Sequence, residues 1–308
     1  MEVRAIVTLP PYASFAEEVA RHPIVAGIRL NTVMPIKGPP VPVLERLSAL
    51  GTPLWVDLKG RQLRVVGAAI PPFTEVRVSH PVRVNTPAVA FFSDGREHAR
   101  VVAVDGDRLI LEDGPRRLIG PGESLNIVDP SLQIDGILTD TDRAYLAAMR
   151  ELGLRKVMLS FAEQASDLAE VEAALPDADV VLKIESPRGI DYARRMAAER
   201  ATSAGAASPP RARLMAARGD LYVEVLRPHR IVSALRQVIT ADPDAIAASR
   251  LFSSLARADV PDCADITDVA YLMSLGYRTF MLGDDVCLAR DSVLAALNLL
   301  EAVAAEAG

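Results

Sequence analysis

Eight short apolar runs alternate with helical patterns along nearly the whole chain, and this alternation limits the possible folds more than any other feature. The runs are Val3–Leu9, Gly27–Leu30, Leu54–Val56, Lys156–Phe161, Val180–Ile184, Leu214–Ala217, Ala245–Ala248 and Arg278–Leu282. Strands separated by helices pair in parallel, with the helices packed outside the sheet. The helical stretches carry start and stop signals. Thr139-Asp140-Thr141-Asp142 opens Arg143–Leu152, which Gly153 closes, and Ser166-Asp167 opens a helix through Leu175. Asp265–Asp268 opens a helix ending at Gly276, and Ser292–Ala305 forms the last one. Eight such units predict an α/β chain closed into a (β/α)₈ TIM barrel. A doubly wound open sheet is the competitor, but no Gly-rich dinucleotide turn follows the first strand.

Between about Val65 and Leu132 the helical period vanishes. Short β-rich runs appear at Glu75–Val78, Ala88–Phe92, Arg100–Val104, Leu109–Leu111 and Ser124–Val128, separated by Asp94-Gly95, Asp105-Gly106 and Asp113-Gly114. The expected organisation is a barrel from residues 1–64 and 133–308 with a small all-β domain, 65–132, inserted after strand 3. Such an insertion would lie over the C-terminal mouth of the barrel as a lid. Thr202–Pro210, rich in Ala, Ser, Gly and Pro, reads as a surface loop.

The net charge of −6 and the lack of a dense basic tract exclude a nucleic-acid footprint. The two cysteines, Cys263 and Cys287, have no metal-ligand spacing, so a reducing compartment is expected. The first ten residues read as a strand rather than a leader, and no apolar run approaches the roughly 20 residues of a spanning helix. A cytoplasmic protein that does not enter membranes is the expectation.

In such a barrel, chemistry collects where the strands end. The second strand ends in Arg29 and Asn31, the third in Asp57 and Lys59 with Arg64 beyond, and the fourth in Ser160. The fifth ends in Lys183 and Glu185, the sixth in Ala217-Arg218-Gly219-Asp220, the seventh in Ser249 and Arg250, and the eighth in Asp284 and Asp285. Loops are polar in any case, which accounts for Asp284, Asp285 and Arg250. It does not account for Lys183, whose neighbour Ile184 is apolar and which should point inward to meet an anion. Two carboxylates and a lysine at adjacent strand ends can hold a hard divalent cation beside a phosphorylated or carboxylated ligand. At Gly219 the backbone N–H groups of the turn could receive a carboxylate, since glycine permits close approach.

These residues together resemble the pyruvate kinase family. The similar segments are Arg29-Leu30-Asn31, Asp57-Leu58-Lys59-Gly60 with Arg64, Leu138–Asp142, Lys183-Ile184-Glu185, Ala217-Arg218-Gly219-Asp220-Leu221 and part of Pro261–Ala270. The resemblance implies Glu185 and Asp220 as ligands of Mg²⁺ or Mn²⁺, with Lys183 stabilising the transferring phosphoryl group and the enolate oxygen. It implies Ser249 near the enolate carbon, Arg29 and Arg64 on phosphates, and Ser160, Ala217, Arg218 and Gly219 around the substrate. Asn31 and Asp57 would remain from a monovalent-cation site.

Departures from the family pattern fall on one side. Val33-Met34 and Leu58 replace oxygen-bearing residues of the potassium site, so potassium is not expected, and a fixed Arg61 charge would replace it. Thr141 stands where a lysine is expected, and Tyr222 where a glycine is, so nucleotide contacts look eroded. The family's C-terminal regulatory and assembly domain is not expected. The leading reading is a phosphotransferase acting on phosphoenolpyruvate, pyruvate or a related 2-oxo acid, with a nucleotide partner and a homo-oligomer both left open. The alternatives are a metal-dependent lyase or aldolase of the same barrel class and a non-catalytic metabolite-binding descendant.

Overall fold

The computed structural model describes residues 1–202 and 212–307. Apart from Thr202, the loop expected at Thr202–Pro210 lies outside the described residues. Eight parallel strands close into a barrel: β1 Arg4–Thr8, β2 Val25–Asn31, β3 Leu54–Leu58, β11 Lys156–Leu159, β12 Asp179–Ile184, β13 Ala212–Ala217, β14 Ile246–Ala248 and β15 Thr279–Leu282. Each matches an apolar run in the sequence, and helices surround the barrel.

Between β3 and β11 the chain makes a small antiparallel structure. Strands β4 Glu75–Arg77, β6 Ala88–Phe92, β7 Glu97–Asp105, β8 Arg108–Leu111 and β9 Asn126–Ile127 form one sheet. β5 Val82–Arg83 and β10 Gln133–Ile134 form a two-stranded ribbon. This insertion has its own core, with Phe92, Val101, Leu109 and Ile119 almost wholly buried. It lies over the barrel mouth. A Cβ at Gly95, on the hairpin tip between β6 and β7, would lie 3.2 Å from Val223 of the barrel.

Side-chain alternation sorts the barrel strands into two layers. Val180, Leu182 and Ile184 of β12 face the helices, as do Leu54, Val56 and Leu58 of β3. The residues between them face inward: Ile6, Trp55, Met158, Val181, Met215, Ile246 and Met281 fill the barrel axis. Continuing the inward parity toward the C-terminal ends gives Thr8, Arg29, Asn31, Asp57, Ser160 and Lys183. The mouth is therefore lined by polar side chains standing on an apolar plug.

Helix starts differ from the sequence reading by a turn or less. Thr139 does cap Asp140–Glu151 through a capping box with Asp142, and Gly153 follows in the left-handed region at φ 69°. The later helices begin earlier than expected, at Ala165, Cys263 and Arg290. Their first turns carry few apolar residues, so periodicity understates their length.

Candidate functional site

Asp57 organises the mouth. Its carboxylate is fully buried and accepts from Arg29 Nε at 2.8 Å and from Arg29 Nη2. Lys183 Nζ lies 3.3 Å away and Lys59 Nζ 4.0 Å away. Burial alone would raise its pKa, but Lys183, Arg29 and Lys59 outweigh burial and hold it far below the carboxylate range. Lys183 also donates to Ser160 Oγ at 2.8 Å and lies 3.2 Å from Glu185 Oε1. Burial opposes its charge, yet Asp57 and Glu185 raise its pKa above the ordinary lysine value, so it keeps its proton. Lys59 is less well compensated. Burial, with Arg64 and Lys183 nearby, brings it down to about 7 despite Asp57.

Glu185 and Asp220 are held from behind. Phe161 N–H donates to Glu185 Oε2 at 2.8 Å. Gln62 Nε2 donates to Asp220 Oδ2 at 2.8 Å, and Asn126 Nδ2 donates to Asp220 Oδ1 at 3.1 Å and to Glu224 Oε1 at 3.0 Å. Burial pushes Glu185 up to about 7; Asp220 adds to the rise and Lys183 opposes it. Glu224 is pushed by burial to about 8.

Three residues at these strand ends adopt left-handed backbone without being glycine: Phe161 at φ 51°, Ser249 at 68° and Arg250 at 56°. Each costs on the order of 1–2 kcal/mol, strain of the kind that collects at functional sites. Gly219 is not forced by its own backbone. A Cβ there would sit in ordinary van der Waals contact with Ser249, 3.7 Å from its Cβ and Oγ.

One cavity of about 240 Å³ collects most of the expected residues: Arg29, Asn31, Arg64, Lys183, Glu185, Gly219, Asp220 and Ser249. Asp57 and Ser160 are buried beside them, bonded to Lys183. Ala217 packs in the apolar plug instead. Arg64 Nε is buried with no protein partner, while its other nitrogens bond Gly122 O and Gln62. A larger cavity of about 840 Å³ lies beyond the Asp220–Asn126–Glu224 bridge, lined by insertion and barrel residues including Ile127, Phe161, Glu163 and Arg188.

Four expectations change. Arg218 turns away from the cavity; it grips Asp268 with two 2.8 Å bonds and donates to the carbonyls of Ser249 and Arg250, bracing the strained loop after β14. Arg61 does not stand beside Asn31 and Asp57; it pairs with Asp167, and the cation at that place is Lys59, which donates to Asn31 Oδ1 at 2.6 Å. Arg29 is largely committed to protein partners: its Nη1 donates both N–H groups, to Thr8 Oγ1 at 2.9 Å and Asp284 Oδ1 at 3.0 Å. Asp284 is thus a member of the site rather than an ordinary loop residue. Sequence reasoning assigned no role to Thr8, Lys59, Gln62, Asn126, Glu224 or Asp284. Inward parity with Asp57 was a usable signal for Lys59. Glu224 had the i,i+4 spacing from Asp220 on one helix, whereas Asn126 had none, since only the packing of the insertion on the barrel brings it to Asp220.

The donor set fits a small hard dication. Two carboxylates, buried Glu185 and half-buried Asp220, line the same cavity, and burial raises the pKa of Glu185 with Asp220 adding to the rise. Among the described residues, no group of three or more His, Cys, Asp or Glu is arranged to hold a metal. An ion bound here would complete its shell with water or substrate oxygens, which is the habit of Mg²⁺. Among the described residues, no helix is long and apolar enough to cross a membrane.

Comparison with known proteins places these features in context. The chain is 29% identical to a pyruvate kinase of Agrobacterium vitis over 194 residues, 61% of this chain and 38% of that protein. It is 26% identical to the pyruvate kinase of Chlamydia pneumoniae over 294 residues, 91% of this chain and 57% of that protein. It is 24% identical to the pyruvate kinase of Methanocaldococcus jannaschii over 269 residues, 81% and 57% of the two chains. The chain therefore spans between about two fifths and three fifths of these curated relatives. No family model matches it. The barrel, its insertion and these similarities make the chain pyruvate-kinase-like.

Proposed function

We propose that this chain is a Mg²⁺-dependent phosphotransferase acting on phosphoenolpyruvate or a related enolpyruvate. The observation that carries the reading is Lys183, a buried ammonium 3.2 Å from Glu185 and facing the same small cavity as Asp220. A bound Mg²⁺ or Mn²⁺ on Glu185 and Asp220 would supply charge neutralisation at phosphoryl and enolate oxygens. Arg64, with its unpartnered Nε, would bind a phosphoryl oxygen. Lys183 faces the charge that grows on the bridging oxygen as the P–O bond breaks, an interaction strongest in the transition state. The Ser249 hydroxyl, lining the cavity beside Gly219, is the group that would bind the carboxylate or pass a proton to the enolate carbon. The cavity of about 240 Å³ suits a three-carbon acid.

A second reading, a metal-dependent C–C lyase that stabilises a pyruvate enolate, is favoured by the closure of Arg29 on Asp284. It would use the same Lys183, Glu185 and Asp220. The test begins with Mn²⁺ titration followed by electron paramagnetic resonance, with and without phosphoenolpyruvate. Pyruvate release is then measured with and without a phosphoryl acceptor. Mn²⁺-dependent binding with acceptor-dependent release supports the transferase. Enolate exchange at pyruvate without phosphoryl transfer supports the lyase. No binding of either acid sinks both.

A further inference from the structure

We infer that Asp284 is a built-in anion that fills the phosphate seat at Arg29 and Asn31, and that the second substrate of this site is therefore not a polyphosphate. This rests on reading the cavity as a phosphoryl-binding site. Arg29 Nη1 and Asn31 Nδ2 converge at the cavity edge, two N–H donors spaced to receive two oxygens of one anion. Asp284 supplies both oxygens itself: Oδ1 accepts from Arg29 at 3.0 Å and Oδ2 from Asn31 at 2.8 Å. A phosphate oxygen pair would make the same contacts.

Most other donors of Arg29 are committed: Nε and one Nη2 N–H go to Asp57, and the second Nη1 N–H goes to Thr8. Asn31 Oδ1 is spent on Lys59. Asp284 is only partly buried, with 39% of its side chain exposed, so an incoming anion would meet its charge directly before displacing it. Asp94 from the insertion and the exposed Asp285 line the same cavity and add to the negative edge. Arg250 lies at the same edge, its guanidinium 4.5 Å from the Tyr222 ring, and offsets part of the Asp94 charge. Deeper in the cavity the cations are Arg64, Lys183 and Lys59, the last already donating to Asn31. A second substrate approaching over Asp94, Asp284 and Asp285 meets no vacant phosphate seat at Arg29 and Asn31.

The test uses inorganic pyrophosphate and ADP, each with excess Mg²⁺, titrated calorimetrically into the full chain and into Asp284→Ala, Asp284→Asn and Asp285→Ala. The wild-type chain should bind both probes weakly. Asp284→Ala should tighten pyrophosphate binding by about tenfold or more, the scale of a charge-assisted contact regained. Asp284→Asn should tighten it less, because the amide still holds part of the seat. Asp285→Ala, which removes edge charge but no seat contact, should tighten it by clearly less than Asp284→Ala. Equal gains in Asp284→Ala and Asp285→Ala would mean a diffuse surface-charge effect and overturn the assignment. So would tight wild-type binding of either probe that Asp284→Ala leaves unchanged. Melting and Mn²⁺ titration of each variant confirm a folded site, and Asp284→Asn serves if Asp284→Ala fails to fold. Phosphoenolpyruvate with Mn²⁺ is titrated in parallel. Its failure to bind while Asp284→Ala gains pyrophosphate would sink the proposed function and leave the Asp284 assignment standing.

Discussion

Asp142 and Lys59 are tied together although 83 residues separate them: the Asp142 Oδ1 accepts the Lys59 backbone N–H at 2.8 Å. The other oxygen accepts from Gly60 N–H at 3.2 Å and Thr139 N–H at 3.0 Å. One carboxylate thus caps the helix Asp140–Glu151 and fixes the turn that aims Lys59 at Asn31. Asp142→Ala removes a cap, worth ~1 kcal/mol. It also strands two buried backbone donors, at roughly 1–3 kcal/mol each. Together these give an expected loss of about 3–7 kcal/mol in denaturant unfolding, with impaired ligand binding at the mouth. A loss under about 0.5 kcal/mol would show that water replaces the carboxylate freely.

Lys183→Met should be the most damaging single substitution for turnover. If its ammonium is felt mainly in the transition state, the rate should fall by about 10²–10³-fold or more while substrate affinity changes little. Its partners Asp57 and Glu185 would lose a buried counter-charge, so some fall in melting temperature is also expected. A variant with wild-type turnover and lowered stability would assign Lys183 to the scaffold alone.

Metal affinity should follow the titration of Glu185. Its folded pKa of about 7 lies above the ordinary 4.5, so in metal-free protein its contribution to stability is full below about 4.5 and is lost as pH rises through about 7. Binding a dication requires the carboxylate, so Mn²⁺ affinity should fall about tenfold per unit below pH 7 and level off above it. The difference between wild type and Glu185→Gln isolates this group from Glu224, which shifts in the same direction. Mn²⁺ titrations from pH 5.5 to 8.5 that show a flat affinity would refute the assignment.

Activity should not need potassium. Val33 and Leu58 offer no side-chain oxygen, and the Lys59 ammonium already donates to Asn31 Oδ1 at 2.6 Å near Asp57. A monovalent cation there would compete with Lys59 for Asn31 Oδ1, be repelled by its charged form, and pay a dehydration cost with few ligands. Rates compared in sodium, potassium and tetramethylammonium salts at one ionic strength should agree within about twofold. A saturable rise in potassium alone would overturn this view of Lys59.

The sequence by itself determined the strand set and, through alternation, which side chains look inward. Arg29, Asn31, Asp57, Ser160 and Lys183 share the parity of the apolar plug, and a period of two carries that information without any long-range contact. It also exposed Glu185 and Asp220 as strand-end carboxylates. What it could not supply was partnership. Arg218 reads as a site residue until Asp268, fifty positions later, claims its guanidinium. Arg61 reads as the free cation until Asp167 takes it, and Asp284 reads as loop polarity until it reaches Arg29, 255 positions earlier. Asn126 reaches Asp220 and Glu224 only because the insertion packs on the mouth. The direction a strand residue faces is a local property of the chain. Which charge it meets there depends on barrel closure and on the docking of the insertion, and only the tertiary structure decides that.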